Sequence, residues 1–521
     1  MMGRLNNRQL NEIVTDGNYG LEVAYTDVEK ITAENVVRVV GNCISTFYRN
    51  REIAEYLWKY KNGDQPALYR TKTIRTDVNC KTVENHAWEI VRFKNGQTNG
   101  EEIYCVSTVD SEEKNNAVDK FNSYCRAAHK HARDVSSGEW TSATGTGFKA
   151  VQRIIGSKVP FRIVVPTPLN TFIIYQRSTD EPMLAVQSLK DENGNDYKLC
   201  YSDTHEYRIQ NSALMRVPDH NGELVTEKIH AFGGIPIVEY PNNQDRISDI
   251  ALVWSLLDDI NEMQSNRMDA VAQFVQSWVK FVNVDVDEEV WEKLKMEGAL
   301  VVKSNGDGKN ADVDIMTQEL NQQQSQIAKE DLWNNALSIL AIPNKEGNTG
   351  GDTQGAVSLR NGWDFSKQAA RLKDPYVIEA ETRLDSLILN IIHQELGEKE
   401  CDIDIMEFEP HVNHSPQDNM QVKAQVFVML VQAGIHPLIA IKVCGLWGDA
   451  EKTYLLSKPY LDVLYKTIDQ IEDKEEQERK AQELIAQYEN GETQDTARGV
   501  LSSNGTTRNG EEEKGTDSQR P

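Results

Sequence analysis

The residue types best able to do chemistry here are carboxylates. Asp258, Asp259 and Glu262 stand close together, and Asp285, Asp287, Glu288 and Glu289 form a second run. Such sets can act as general acid and base or hold Mg²⁺, although on helices and beside turns they usually form a solvated face. His129 with His131, and His411 with His414, have the spacing of metal ligands but lack a supporting H-E-x-x-H or cysteine partner. The segment SNGDGKNADVD resembles a calcium loop through Asn305, Asp307 and Gly308. Yet Lys303 occupies the place of the first acidic ligand and Asp314 that of the bidentate glutamate, so it reads as a hairpin turn.

Glycine-rich segments give no stronger signal. Gly347 to Gly355 follows a helical pattern and lacks G-x-x-x-x-G-K-[ST], and Thr144-Gly145-Thr146-Gly147 lacks the third glycine of a dinucleotide fingerprint. The first reads as a flexible connector and the second as a tight turn between β segments. With no nucleophile placed beside a base, the sequence gives no positive sign of catalysis, metal or cofactor.

The elements that position these residues are legible in the apolar spacing. From Thr32 to Gly63 apolar residues recur every three or four positions, which predicts one helix or two ended at Asn62-Gly63; ENHAWEIVRFKNG is helix-like and SEEKNN a charged linker. RIVVPTP, TFIIYQRS, MLAVQSL and YKLCYS read as strands separated by turns such as Asn193-Gly194 and Asn221-Gly222. Residues 1–245 therefore read as one α+β domain.

After the breaks at Gly233-Gly234, Pro236 and Pro241 a helix is expected from Ser248 to Trp278, roughly 45 Å long at ~1.5 Å per residue. Its polar middle, NEMQSNRMD, suggests a strut beside solvent. A small β-rich module follows over 279–320: WVKFVNVDV and ADVDIM as strands, with DEEVWEKLKMEG as a short helix. A second helix returns over 321–343. Residues 344–355 form a loop, and a long helix is expected over 356–396 with a bend at Asp374-Pro375. DIDIMEFEP completes the segment to 415 as a strand. Residues 416–468 are helical, and 469–521 read as a charged helix and a disordered tail.

Composition narrows the partners. At 521 residues the chain has room for several cores, and 81 acidic against 56 basic residues leave a formal charge of -25. A broad basic grip on nucleic acid is excluded, whereas a surface that DNA slides past is not. Seven cysteines without a C-x-x-C pair point to reduced thiols. No signal-like N-terminus or run of ~20 apolar residues appears, so secretion and membrane spanning are disfavoured.

The order of these segments, with several local strings, resembles the phage portal protein family, siphophage type, over about residues 30–465. The strings are Asn85 to Gly100, the approach through Pro168, Phe172 and Tyr175, and above all FGGIPIVEYPNNQDRISDIALVWSLLDDINEMQSN, with Gly234, Ile235, Pro236, Pro241, Asn242, Ser248, Asp249 and Ser265. Gln354-Gly355-Ala356-Val357-Ser358-Leu359 only approximates the family's Ser-Gly-x-Ala-Leu pattern.

The resemblance implies a mainly helical, multi-domain α+β portal fold. In it 1–245 form a wing, 246–278 and 321–343 two long stem helices, and 279–320 a small β-rich clip. It places a tunnel loop at 344–355, further wing at 356–415 and a helical crown at 416–468. It further implies a homo-oligomeric ring of about twelve at a capsid vertex of the virion, assembled in the host cytoplasm, with double-stranded DNA passing through. Its other partners would be the terminase large subunit, a head-completion adaptor, and major capsid and scaffolding proteins, with no membrane.

On that reading Asp258, Asp259, Glu262, Asn266 and Asp269 line the channel, while Asp285, Asp287, Glu288, Glu289, Asn305 and Asp307 sit on the clip. The tunnel loop offers Asn344, Lys345, Glu346, Gly347, Asn348, Thr349, Gly350, Gly351 and Asp352. Lys345 either touches phosphates or is a solvated loop lysine. Twelve copies at -25 make a ring of roughly -300. Two other readings compete: an acidic metal-dependent nuclease or NTPase, and a scaffold or adaptor without a pore.

Overall fold

The computed structural model describes residues 20–73, 76, 78–109, 111–219, 221–275, 278–282, 312–316, 322–344, 362–413, 420–444, 453–454 and 457–458. The chain divides into two compact units, Met1–Ser415 and Pro416–Pro521.

In chain order the first unit opens with β1 (Ala24–Thr26), α1 (Val36–Lys61), α2 (His86–Asn99) and β2 (Tyr104–Ser107), followed by α3 (Glu112–Ala127) and α4 (Lys130–Thr144). Strands β3 (Thr146–Arg153), β4 (Phe161–Val164), β5 (Thr171–Gln176), β6 (Pro182–Lys190), β7 (Asp196–Tyr201) and β8 (His205–Gln210) come next. Four two-residue strands follow: β9 (Ala213–Leu214), β10 (Val217–Pro218), β11 (Leu224–Val225) and β12 (Lys228–Ile229). After β13 (Ile237–Pro241) come α5 (Trp254–Val275), β14 (Trp278–Val282), β15 (Asp312–Met316), α6 (Gln322–Ile339), α7 (Trp363–Arg371), α8 (Asp374–Leu396) and β16 (Phe408–His411). The fold is mixed helix and sheet, and among the described residues no helix is long and apolar enough to cross a membrane.

The larger sheet runs β1-β5-β6-β7-β8-β12, with β9 beside β8 and β1 parallel to β5; a second runs β13-β3-β4. Helix α1 is a single piece, about 39 Å long at ~1.5 Å per residue, and joins two cores. Its first half lays Val36, Val39, Val40, Cys43 and Phe47 on Phe172, Ile174, Leu184, Val186 and Tyr207 of the larger sheet, with Phe47 stacked on Phe172 at 4.6 Å. Its second half sends Leu57 and Tyr60 into a helical core with Ile90, Val91, Leu257, Ile260, Ala336 and Leu340. Each large apolar side chain so buried contributes about 1.5–3 kcal/mol. Helix α8 covers the smaller sheet with Leu384, Leu387, Ile388, Ile391 and Ile392.

Several expectations need correction. SEEKNN is the start of α3, where Glu112 and Glu113 in the first turn favour the helix dipole. Thr144 to Gly147 joins a helix to a strand: Gly145, at φ +94°, ends α4, and a Cβ there would lie 2.0 Å from the Arg246 carbonyl oxygen. The helix expected from Ser248 to Trp278 runs from Trp254 to Val275: residues 249–253 form turns, with Ser248 Oγ accepting the Ile250 N–H and donating to the Ala143 carbonyl, and Trp278 already belongs to β14. The expected long helix is two, because Pro375 has no N–H to donate and fits only the first turn of α8. The strand expected over DIDIMEFEP is confined to Phe408–His411, paired with β2.

Strands β14 and β15 pair antiparallel from Trp278↔Met316 to Val282↔Asp312. The short helix and turn expected between them lie outside the described residues. In the second unit, α9 (Met420–Gln432) and α10 (Pro437–Cys444) fall where helices were expected; the charged helix and tail lie outside the described residues.

Candidate functional site

Helix α5 presents three different faces. The apolar one, Leu257 and Ile260, together with Val253 in the turn just before the helix, packs in the core that also holds Ala336, Leu337 and Leu340 from α6 and the turn after it. At its edge His86 stacks on Trp333 at 4.0 Å, Lys329 pairs with Glu84 at 2.9 Å, and Arg267 Nη1 donates to Gln326 Oε1 at 2.7 Å.

The second face is polar and buried. Asn261 Oδ1 accepts the Glu84 N–H at 2.7 Å, Ser265 Oγ the Thr82 N–H at 3.0 Å, and Asp269 Oδ1 the Cys80 N–H at 2.6 Å. Four helical residues advance about 6.0 Å and two extended residues about 6.6 Å. Side chains at i, i+4 and i+8 of the helix therefore meet every second N–H of an extended strap, 80–84, laid along it. Asn261 also donates to Gln65 Oε1 at 2.6 Å, and Ser265 to the Thr82 carbonyl at 3.2 Å. Asp269 is held by Lys72 and, at 3.0 Å, by Arg70. Burial alone would raise its pKa, but the Lys72 and Cys80 hydrogen bonds hold it below the usual carboxylate value.

The third face is exposed and carries Ser255, Asp259, Glu262 and Asn266. On α6 the exposed polar residues are Gln323, Gln324, Glu330, Asp331, Asn334, Asn335 and Ser338. The described exposed faces of this helix pair thus bear four carboxylates, and Lys329, the only lysine of α6, is paired with Glu84.

Of the five residues expected to line a channel, Asp259, Glu262 and Asn266 face solvent, although Asn266 also accepts from Arg70 at 2.8 Å. The other two do not. Asp269 is 2% exposed. Asp258 is half-buried and accepts the Tyr60 hydroxyl at 2.8 Å; burial first, then the neighbouring charges of Asp259 and Glu262, push its pKa up to about 6 against the pull of Tyr60. Among the described residues no three His, Cys, Asp or Glu side chains gather as a metal site. Asn344 is exposed and donates to Asn334 Oδ1 at 3.0 Å. Lys345, Glu346, Gly347, Asn348, Thr349, Gly350, Gly351 and Asp352 lie outside the described residues, as do Asp285, Asp287, Glu288, Glu289, Asn305 and Asp307.

A buried ionic cluster escaped the sequence reading. Lys130 and Asp134 on α4, Lys149 on β3, and Glu381 and Asp385 on α8 are each less than 4% exposed. Lys130 lies 2.7 Å from Glu381 and 3.4 Å from Asp134, while Lys149 pairs with both carboxylates. Burial drives the Asp385 carboxyl up to about 7, and Cys105 Sγ donates to it at 3.2 Å. Burial also works on Glu381, but the two lysines hold it at about 2. With Asp385 protonated, two lysines balance two carboxylates. The available signal was Glu381 and Asp385, four apart, flanking Val377, Ala380, Leu384 and Ile388 on one helix.

Three solved structures are similar to this chain. The virion of a native gene transfer agent particle matches at 9% identity and TM-score 0.42, covering 78% of this chain and 93% of that one. The neck of an empty particle, computed with C6 symmetry, gives 11% and 0.43 over 70% and 90%. The neck of a native particle, computed with C12 symmetry, gives 12% and 0.43 over 76% and 93%. No curated protein matches the sequence. The family model described as phage portal protein, SPP1 Gp6-like, matches residues 42–482. With most of its length matched, the chain belongs to the phage portal protein family, SPP1 Gp6-like.

Proposed function

We propose that copies of this chain close head-to-tail into a ring of about twelve at a capsid vertex, and that double-stranded DNA is packed and released through it. Residues 1–245 and 356–415 form the wing, 246–278 and 321–343 the stem, 279–320 the clip, 344–355 the tunnel loop and 416–468 the crown. A head-to-tail contact closes when its rotation divides a full turn. The clip meets the terminase large subunit during packaging and the head-completion adaptor afterwards, the wing meets major capsid and scaffolding proteins, and assembly takes place in the host cytoplasm.

The observation that carries this reading is the exposed face of α5 and α6, which bears Asp259, Glu262, Glu330 and Asp331 beside neutral amides. Repeated around an axis, such a face repels phosphates and keeps DNA from sticking. Membership of the portal family supports a structural role over an enzymatic one. Negative-stain images of the purified full-length protein test the ring directly: annular particles with a central opening are expected, and a monomer at high concentration refutes it. Deleting 344–355 should leave rings that fail to package DNA, whereas normal packaging removes the tunnel loop from the proposal.

A further inference from the structure

Strand β4 is an edge of the smaller sheet, since β3 is its only described partner strand. The side on which its free backbone groups lie follows from the ladder. Val151 donates its N–H to the carbonyl of Pro236, just before β13 and on the side of β3 away from β4, so its partner Ile163 forms no hydrogen-bonded pair with it. Ile154 donates to the Pro160 carbonyl, which fixes the same alternation one step further out. The N–H and C=O groups of Phe161, Ile163 and Val165 therefore point away from β3, and no described residue bonds them.

These groups border a groove of about 530 Å³ between β4 and the corner joining α3 to α4. That is within the ~300–1,000 Å³ of ordinary binding clefts. Its charged lining is cationic: Arg133 and Arg162 are exposed, His129 stands beside them, and no carboxylate lines it. In a chain of formal charge -25 this is a local reversal of sign. Pro160 and Pro166 flank the strand, so pairing can extend over only about five residues.

We infer that this groove receives an extended, acidic segment of a partner protein, which adds to the smaller sheet as a strand beside β4 while its carboxylates meet Arg133 and Arg162. Alternating donors and acceptors match a peptide backbone, whereas a phosphate chain could use only the donors. An unpaired edge presents a ready row of donors and acceptors for such addition, and the shortness of β4 with its flanking prolines confines it to a brief segment.

The test uses the full-length protein and a fluorescent eight-residue peptide alternating glutamate and valine. Its controls are a lysine–valine peptide, a glutamate–valine peptide N-methylated at every second residue, and a duplex DNA oligonucleotide. Anisotropy should show the acidic peptide binding, at least tenfold loss with R133E/R162E or with N-methylation, and a smaller loss with R133Q/R162Q. Amide exchange should slow at Phe161, Ile163 and Val165. Equal binding of the acidic and basic peptides, undiminished binding of the N-methylated one, protection elsewhere, no binding at millimolar peptide, or displacement of the peptide by DNA overturns the inference.

Discussion

Replacing Asp385 with asparagine should stabilise the protein, by an amount that depends on pH. The side chain is 1% exposed, and one of its oxygens, Oδ1, has no hydrogen-bond partner among the described residues. In the unfolded chain its carboxyl ionises near the ordinary 3.8, but in the folded protein only near 7, chiefly through burial and then through Glu381. As pH rises through that window the unfolded state releases its proton first, so the wild type loses stability at about 1.4 kcal/mol per pH unit. Glu381 works in the opposite sense, but below about pH 4.5, and is constant above it.

Between pH 5 and 7 the Asp385→Asn protein should therefore gain on the order of 3 kcal/mol over the wild type, with no further change above about pH 7.5. Asparagine retains an acceptor for Cys105 and nearly the same volume, so packing is held constant. Urea titrations followed by tryptophan fluorescence, run on both proteins every half pH unit from 5 to 8, measure the difference. A difference that is flat across this range would mean that Asp385 ionises normally inside the fold, and the charge balance argued for the cluster would fail.

The strap makes a second case. Asn261→Ala leaves the Glu84 N–H and Gln65 Oε1 without their Asn261 partner in a buried site, which should cost about 1–3 kcal/mol and speed amide exchange at Glu84; unchanged exchange would show that the strap is held by other means. For the exposed face, D259K/E262K should give rings whose duplex DNA binding is stronger at 50 mM than at 200 mM salt, with a slope steeper by about 0.9 for each phosphate newly neutralised. Filter binding at the two salts measures this, and an unaltered salt slope would place that face away from the DNA.

Legibility followed the kind of burial each element makes. Strands β4 to β7 stood out because β-branched and aromatic residues fill sheet faces, and the α5 and α6 helices because apolar residues recur on one side. Helix α4 left no such trace. Its buried face is made of Ser137, Gly138, Thr141 and Ser142, small and polar, because α2 crosses so closely that a Cβ on Gly138 would lie 2.2 Å from Asn95 Oδ1. Close approach replaces hydrophobicity there, and a search for apolar periodicity passes over it. The ionic cluster was hidden for a related reason: its five charged residues are scattered over 256 positions of sequence and meet only through tertiary packing.

The polar middle of α5 shows how one sequence pattern can hold two opposite environments. At about 100° per residue, Leu257 and Ile260 fall within about 60° of the helix circumference; Asn261, Ser265 and Asp269 occupy roughly the next 80°, and Asp259, Glu262 and Asn266 about the next 60°. Composition alone merges the last two groups into one wet belt. Angular position separates them, since side chains that drift slowly around the helix at steps of four can follow one extended neighbour, whereas those on the far side have none. A buried stripe of asparagine, serine and aspartate stabilises the helix against its own strap through hydrogen bonds that must all be made together. The charge that α5 presents to solvent therefore comes from the outer stripe, and Asp269, despite its negative sign, adds none because Arg70 and Lys72 neutralise it.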